Sequence, residues 1–177
     1  MNYKLNHLPV AAFCLLGIIW GSNFIYMKLA SELITPTQIV FFRVLFGFVP
    51  VLIYAGSMGV LSWKHLKHFG HFVVMALLAT TIYYYGFAKG TSLLLSGVAG
   101  AVSGAIPLFS FLLAVLFITE EKVSKYKIFG VLIGFVGVVI MGRPSGQDII
   151  TTNLVGVFYM VVGSLSVGAS FVYAKKF

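Results

Sequence analysis

The sequence predicts an all-α integral membrane protein, a bundle of six transmembrane helices. Three observations predict it. Of 177 residues, 60% are hydrophobic and only 9% are charged, against about 25% charged in an ordinary soluble domain. The mean hydropathy is +1.03. The apolar residues also gather into runs of about 20, the length that crosses a bilayer as a helix. Such a chain cannot clothe itself in a polar surface. A soluble enzyme, a nucleic-acid-binding module, a disulfide scaffold and a disordered tail are excluded as first readings. The lone cysteine, Cys14, cannot form an intramolecular disulfide.

The first span is expected over residues 8–27 and holds no charge. Lys4 before it looks like the start of a signal peptide. The apolar run outlasts a signal-peptide core, however, and no small-residue cleavage site follows, so a retained span is expected. The second covers residues 37–57 and contains Arg43. An Arg at a helix centre costs about 2.5–3.5 kcal/mol to insert, and each Leu, Ile, Phe or Val returns about 0.3–0.6 kcal/mol. Twelve such residues lie between Ile39 and Ile53. Their total, about 4–7 kcal/mol, exceeds the cost, and the segment inserts.

The third span is expected over residues 72–88 and the fourth over 91–119. The fourth is rich in Gly and Ser, and Pro107 sits inside it. Proline offers no N–H to the Ser103 carbonyl, so a kink or local unwinding is expected there. The fifth, 128–142, is short; the sixth covers 154–174. With the N-terminus inside, Lys4, Lys64, Lys67, Lys122, Lys125, Lys127, Lys175 and Lys176 face the cytoplasm. Lys28, Lys89 and Arg143 face out. Eight against three is the expected positive-inside bias, and it places both the N-terminus and residue 177 in the cytoplasm. The basic balance of +8 therefore serves orientation, and no nucleic-acid partner is expected.

The chain also repeats itself. Gly21-Ser22-Asn23-Phe24-Ile25-Tyr26-Met27-Lys28 matches Gly168-Ala169-Ser170-Phe171-Val172-Tyr173-Ala174-Lys175 at Gly, Phe, Tyr and Lys. Five spans separate the copies, an odd number, so equivalent helices run in opposite directions. That is the signature of an inverted-topology repeat, common in secondary transporters.

Several stretches carry a family likeness that covers nearly the whole chain. They are Ile18 to Ala30 with its Trp20-Gly21 step, Thr35 to Leu52 with Pro36 and Arg43, and Ser103 to Gly142 with Pro107, Glu120 and a Gly-rich fifth helix. In this order and spacing the chain resembles the EamA-type family of the drug/metabolite transporter superfamily. The resemblance implies a ten-helix transporter of two inverted five-helix repeats with a central cavity. It implies an inner-membrane protein that moves metabolites, amino acids or drugs, often outward. Residues 1–147 would form the first repeat and 148–177 the first helix of a second. The chain is then slightly more than half of such a transporter, and truncation is the expectation. The alternative is a non-transporting, partner-dependent half-transporter or membrane fragment with an assembly role. A homo-oligomer or a second half-transporter would be the partner, beside membrane lipids and a small-molecule substrate.

The candidate substrate-binding residues are Trp20, Ser22, Asn23, Arg43, Tyr84, Ser103 and Pro107. Arg43 is the one ionised residue well inside a span. It either faces the cavity and attracts an anionic or carboxylate-bearing substrate, or reaches the headgroups or Glu32. Trp20, Ser22 and Asn23 either line the path or hydrogen-bond a neighbouring helix. Pro107 either opens backbone groups to a cavity or makes an ordinary kink. Tyr83, Tyr84 and Tyr85 point three ways from one turn, so one or two at most face a cavity.

Small residues recur four apart at Ser92, Ser96, Gly100 and Gly104, at Gly17 and Gly21, and at Gly130 and Gly134. That spacing lets helices approach closely. His65, His68 and His71 lie among Lys64 and Lys67 with no Cys or carboxylate nearby, which favours headgroup contact over a metal. Glu120 and Glu121, beside Lys122, Lys125 and Lys127, suit an interfacial charge network. No metal or cofactor is called for. No Asp or Glu lies within a span, so no carboxylate proton relay is visible. This argues against a small dual-topology multidrug exporter, which is similar but depends on a buried Glu. Nor does any span carry a Ser-His pair, paired carboxylates or H-E-x-x-H, so an enzyme is not expected.

Overall fold

The computed structural model describes residues 7–118, 124–141 and 153–177. Among these the chain is helical, with no strand. We number the helices α1 (His7–Leu33), α2 (Pro36–Ser57), α3 (Trp63–Leu93), α4 (Ser96–Phe117), α5 (Lys125–Met141) and α6 (Leu154–Lys176). All but α5 are long and apolar enough to cross a membrane; α5 has 17 residues and is apolar after its first turn. Glu120, Glu121, Lys122 and Arg143, and the expected repeat boundary at 147, lie outside the described residues.

Local chemistry sets the helix ends. Ile34 and Thr35 link α1 to α2. The Thr35 hydroxyl accepts from the Gln38 N–H at 3.3 Å, and the Gln38 side chain accepts from the Thr35 N–H at 2.9 Å. This capping box, with Pro36 in the first turn, satisfies donors that a helix start leaves open. Gly59 takes a φ of +66° and ends α2. Asn153 opens α6 by accepting from the Gly156 N–H at 3.2 Å.

α3 and α4 are each interrupted. α3 starts as a 3-10 turn over Trp63–His68, runs as α-helix over Phe69–Ala76, passes through a π segment at Leu77–Ile82, and resumes at Tyr83–Leu93. In the π segment the Thr81 hydroxyl donates to the Ala76 carbonyl at 3.1 Å. α4 consists of Ser96–Ser103 and Ile106–Phe117. Between them the Gly104 and Ala105 N–H groups bond three residues back, each at 3.0 Å. Pro107 falls in the first turn of the second piece, where its missing N–H costs nothing. The expected unwinding is present.

Several boundaries differ from the sequence reading: α1 runs on to Leu33 rather than residue 27, and so takes in Lys28 and Glu32. α3 is longer than residues 72–88 at both ends, and α4 starts at Ser96 rather than residue 91. The reason is the extended link at Leu94 and Leu95. That link puts Thr91 and Ser92 on α3, so the small-residue row from Ser92 to Gly104 is not one helix face.

α6 lies antiparallel to α3 and fills the angle between α3 and α4. Half of its most apolar stretch is buried, against none of that of α1. The seam with α3 is closed by glycines. A Cβ on Gly86 would lie 2.6 Å from the Tyr159 carbonyl oxygen, and one on Gly163 would lie 2.7 Å from the Phe87 ring. Real Cβ atoms do not sit so close, and only hydrogen permits the approach. Between helices in lipid the gain from such contact is van der Waals packing.

The α1–α2 hairpin joins this unit at one end, where the α1–α2 and α3–α4 links lie. There Phe24 and Met27 of α1, Ile39 of α2, Phe87 and Ala88 of α3, and Ala99 and Val102 of α4 form the buried cluster. The packing of the hairpin is concentrated on the second half of α3 and the first half of α4. Away from that end the side chains from Leu8 to Gly21 and from Val44 to Tyr54 are all exposed.

Candidate functional site

Arg43 stands one turn deeper than Ile39 on α2, so it marks where the closed end gives way to the open angle. Its guanidinium carbon lies 4.3 Å from the centre of the Tyr84 ring. The position over a ring face is attractive, by about 0.5–2 kcal/mol depending on desolvation. Among the described residues no ion pair or hydrogen bond engages Arg43, and none joins it to Glu32. Its planar set of N–H donors thus keeps its capacity for a bidentate carboxylate or phosphate. Both Arg43 and Tyr84 are half-buried.

The tyrosines divide as the helix register demands. Tyr83 packs edge-on against Phe87 at 4.7 Å between ring centres, and Tyr85 meets Tyr159 of α6 at 6.1 Å. Tyr84 alone lies beneath Arg43. Phe87 also meets Phe24 of α1, at 5.9 Å.

The other candidates are not gathered at this pair by any bond. Trp20 is 63% exposed. Ser22 donates to the Ile19 carbonyl of its own helix at 3.1 Å, not to a neighbour. Asn23 is half-buried beside Phe24. Ser103 donates to the Gly100 carbonyl at 2.6 Å, at the α4 break, and Pro107 is exposed beyond it.

The packing candidates also divide. A Cβ added to Gly100 would lie 3.6 Å from the Phe24 ring, and one added to Gly134 would lie 3.1 Å from Leu108. A Cβ on Gly17, Gly21 or Gly130 would meet nothing within 4 Å. Ser96 is half-buried at the start of α4, and Gly104 is exposed at its break. The close seam instead uses Gly86, Gly90, Gly156 and Gly163. Gly86 and Gly90 are four apart, the same spacing signal, so they were open to detection.

Polar groups decorate the α3–α6 seam. The Ser166 hydroxyl donates to the Leu78 carbonyl at 2.8 Å and so satisfies a group in the π segment. Among the described residues the buried Thr91 and Ser164 hydroxyl oxygens have no hydrogen-bond partner. At the far end the His71 Nδ1 and the Tyr173 hydroxyl share a hydrogen bond of 2.6 Å. His71, one of the three histidines expected near the headgroups, is exposed and also touches α6 through this bond.

Comparison with known proteins agrees with the helical plan. The model of the EamA-like transporter family matches residues 7–143. The chain is 24% identical over 159 residues to an uncharacterized transporter of Archaeoglobus fulgidus, covering 89% of this chain and 54% of that protein. It is 28% identical over 182 aligned positions to an S-adenosylmethionine uptake transporter of Rickettsia prowazekii, covering 100% and 58%. It is 23% identical over 177 residues to the uncharacterized transporter YdfC of Bacillus subtilis, covering 100% and 56%. The chain therefore spans a little over half the length of these relatives. No solved structure matches it. A family match over most of the chain, on a bundle of membrane-length helices, leads to one identification: this multi-pass membrane protein belongs to the EamA-like transporter family.

Proposed function

We propose that the chain is the first repeat, residues 1–147, and the opening helix of the second repeat of a ten-helix inner-membrane transporter. Its substrate is a small metabolite or drug with a carboxylate or other anionic group, bound at Arg43. The observation that carries this reading is the Arg43–Tyr84 pair, a membrane-embedded cation stacked on an aromatic ring and free of carboxylate partners among the described residues. An intramembrane cation without a structural counter-ion is a site for a mobile anion. Trp20, Asn23, Ser103 and Pro107 complete the path as secondary lining.

The end that bears the α1–α2 and α3–α4 links faces outward, because this places Lys64, Lys67, Lys175 and Lys176 inside. Arg43 is then reached from the cytoplasm, which suits export. A second reading, uptake, is favoured by the name of the Rickettsia relative. S-adenosylmethionine carries a carboxylate for Arg43 and a flat adenine ring for the aromatic side chains, so it is the first substrate to try.

Equilibrium binding of radiolabelled S-adenosylmethionine and of simple carboxylates to the purified chain tests the site. Arg43→Gln is expected to weaken binding at least about tenfold, the loss of one charge-assisted hydrogen bond of about 1.5–3 kcal/mol. Equal binding by both forms would remove Arg43 from the site.

A further inference from the structure

The outer end is held by more than apolar contact. Lys28, half-buried on α1, sends its ammonium to the Ser92 carbonyl on α3, 64 residues away, at 2.9 Å. Ser92 is the next-to-last residue of α3, so its carbonyl is one that a helix end leaves without an internal partner. The negative end of the helix dipole favours a cation there as well. Around Lys28 the chain is trimmed to suit. The Ser31 hydroxyl donates to the Lys28 carbonyl at 2.7 Å, and the Ser92 hydroxyl donates to the Lys89 carbonyl at 2.8 Å. Phe24, one turn below, and the adjacent Met27 belong to the buried cluster.

We propose that Lys28 is a latch. Its bond to Ser92 holds the α1–α2 hairpin shut against the end of α3, and the outer end opens only when the ammonium leaves that carbonyl. The proposal rests on the transporter reading, since a gate has meaning only where a substrate passes. Three features of the molecule converge on it. Among the described residues this bond is the one long-range side-chain hydrogen bond between α1 and the rest of the molecule. It lies at the end where hairpin packing is concentrated. It is exchangeable, because an ammonium released from a carbonyl finds water or headgroups at once, unlike the glycine seam of α3 and α6, which cannot part without leaving voids. Lys28 thus separates a fixed part of the molecule from a movable one. Lys175 occupies the matching place in the second copy of the repeated octet, at the opposite end of the bundle. An inverted repeat would thereby set one such lysine at each mouth.

Cysteine labelling in the full chain, reconstituted in vesicles with Cys14→Ser, tests this without any substrate. Thr91→Cys places a thiol at a fully buried position beside Ser92, and Ser170→Cys places one in the buried face of α6. A membrane-impermeant maleimide is applied to the face where the two links emerge. Lys28→Met, which keeps the stem and loses the charge, is expected to raise Thr91→Cys labelling at least about tenfold, the worth of one charge-assisted hydrogen bond. Ser170→Cys should stay unlabelled. Lys28→Arg, which retains a donor, should return the rate to within about twofold of the original. Unchanged Thr91→Cys labelling in Lys28→Met overturns the latch. So does parallel exposure of both thiols, because Lys28 would then support the whole fold rather than one gate. Loss of anion binding at Arg43 would instead strike the transporter reading and leave these rates as they are.

Discussion

α1 and α6 carry octets that agree at Gly, Phe, Tyr and Lys, and they live in different surroundings. Gly168 of α6 sits 3.1 Å, measured from a built Cβ, from the Ser110 backbone nitrogen of α4; its counterpart Gly21 on α1 faces open space. Phe24 of α1 is buried, whereas its counterpart Phe171 is 58% exposed. α6 fills the angle between α3 and α4, and α1 rests on the same unit at one end only. The difference teaches that a repeated helix motif specifies what a helix can pack against, and that the helices within reach decide which side is used. In α6 the glycine face is occupied. In α1 it is available, as an inverted second repeat would require.

The comparison makes graded predictions. The largest effect belongs to the seam. Gly163→Leu would drive a side chain into the Phe87 ring and the Tyr83 carbonyl, and overpacking of this kind costs about 1–3 kcal/mol or more. We expect loss of cooperative thermal unfolding of the detergent-solubilised chain. Next comes Ser166→Ala, which leaves the Leu78 carbonyl in the π segment without its 2.8 Å donor. Interhelical hydrogen bonds in membranes average about 0.6 kcal/mol and reach about 1.7, so a modest fall in the unfolding midpoint is expected. The smallest effect belongs to α1. Gly21→Leu meets nothing within 4 Å and should change stability by less than about 0.5 kcal/mol. A Gly21→Leu change as damaging as Gly163→Leu would erase the distinction between the two helices.

Much of this fold was legible in the sequence because lipid imposes a strong length rule. The runs around α1, α2 and α6 are long and unbroken, and Pro107 announced the break in α4. The Thr35–Gln38 box is a four-residue signal, readable without a structure. The π segment was not readable, since Leu77–Ile82 holds nothing that forbids an ordinary α-helix. Its carbonyl is rescued by Ser166, 88 residues on. The partner of α6 was also hidden. Glycine spacing marks a face able to approach another helix and does not name that helix, so Gly17 and Gly21 read as well as Gly86 and Gly90. Arg43 stood out as the one ionised residue well inside an expected span. Tyr84 emerged only when the register of α3 set it, rather than Tyr83 or Tyr85, beneath the guanidinium.

The central claim is that α6, and not α1, occupies the groove between α3 and α4. Oxidative cross-linking in native membranes addresses it directly, in a Cys14→Ser background with Ser110→Cys paired in turn with Gly168→Cys and with Gly21→Cys. The account predicts rapid, near-complete linkage for the Gly168→Cys pair and none for the Gly21→Cys pair. Linkage of the Gly21→Cys pair with the Gly168→Cys pair left reduced would place α1 in the groove and contradict the account.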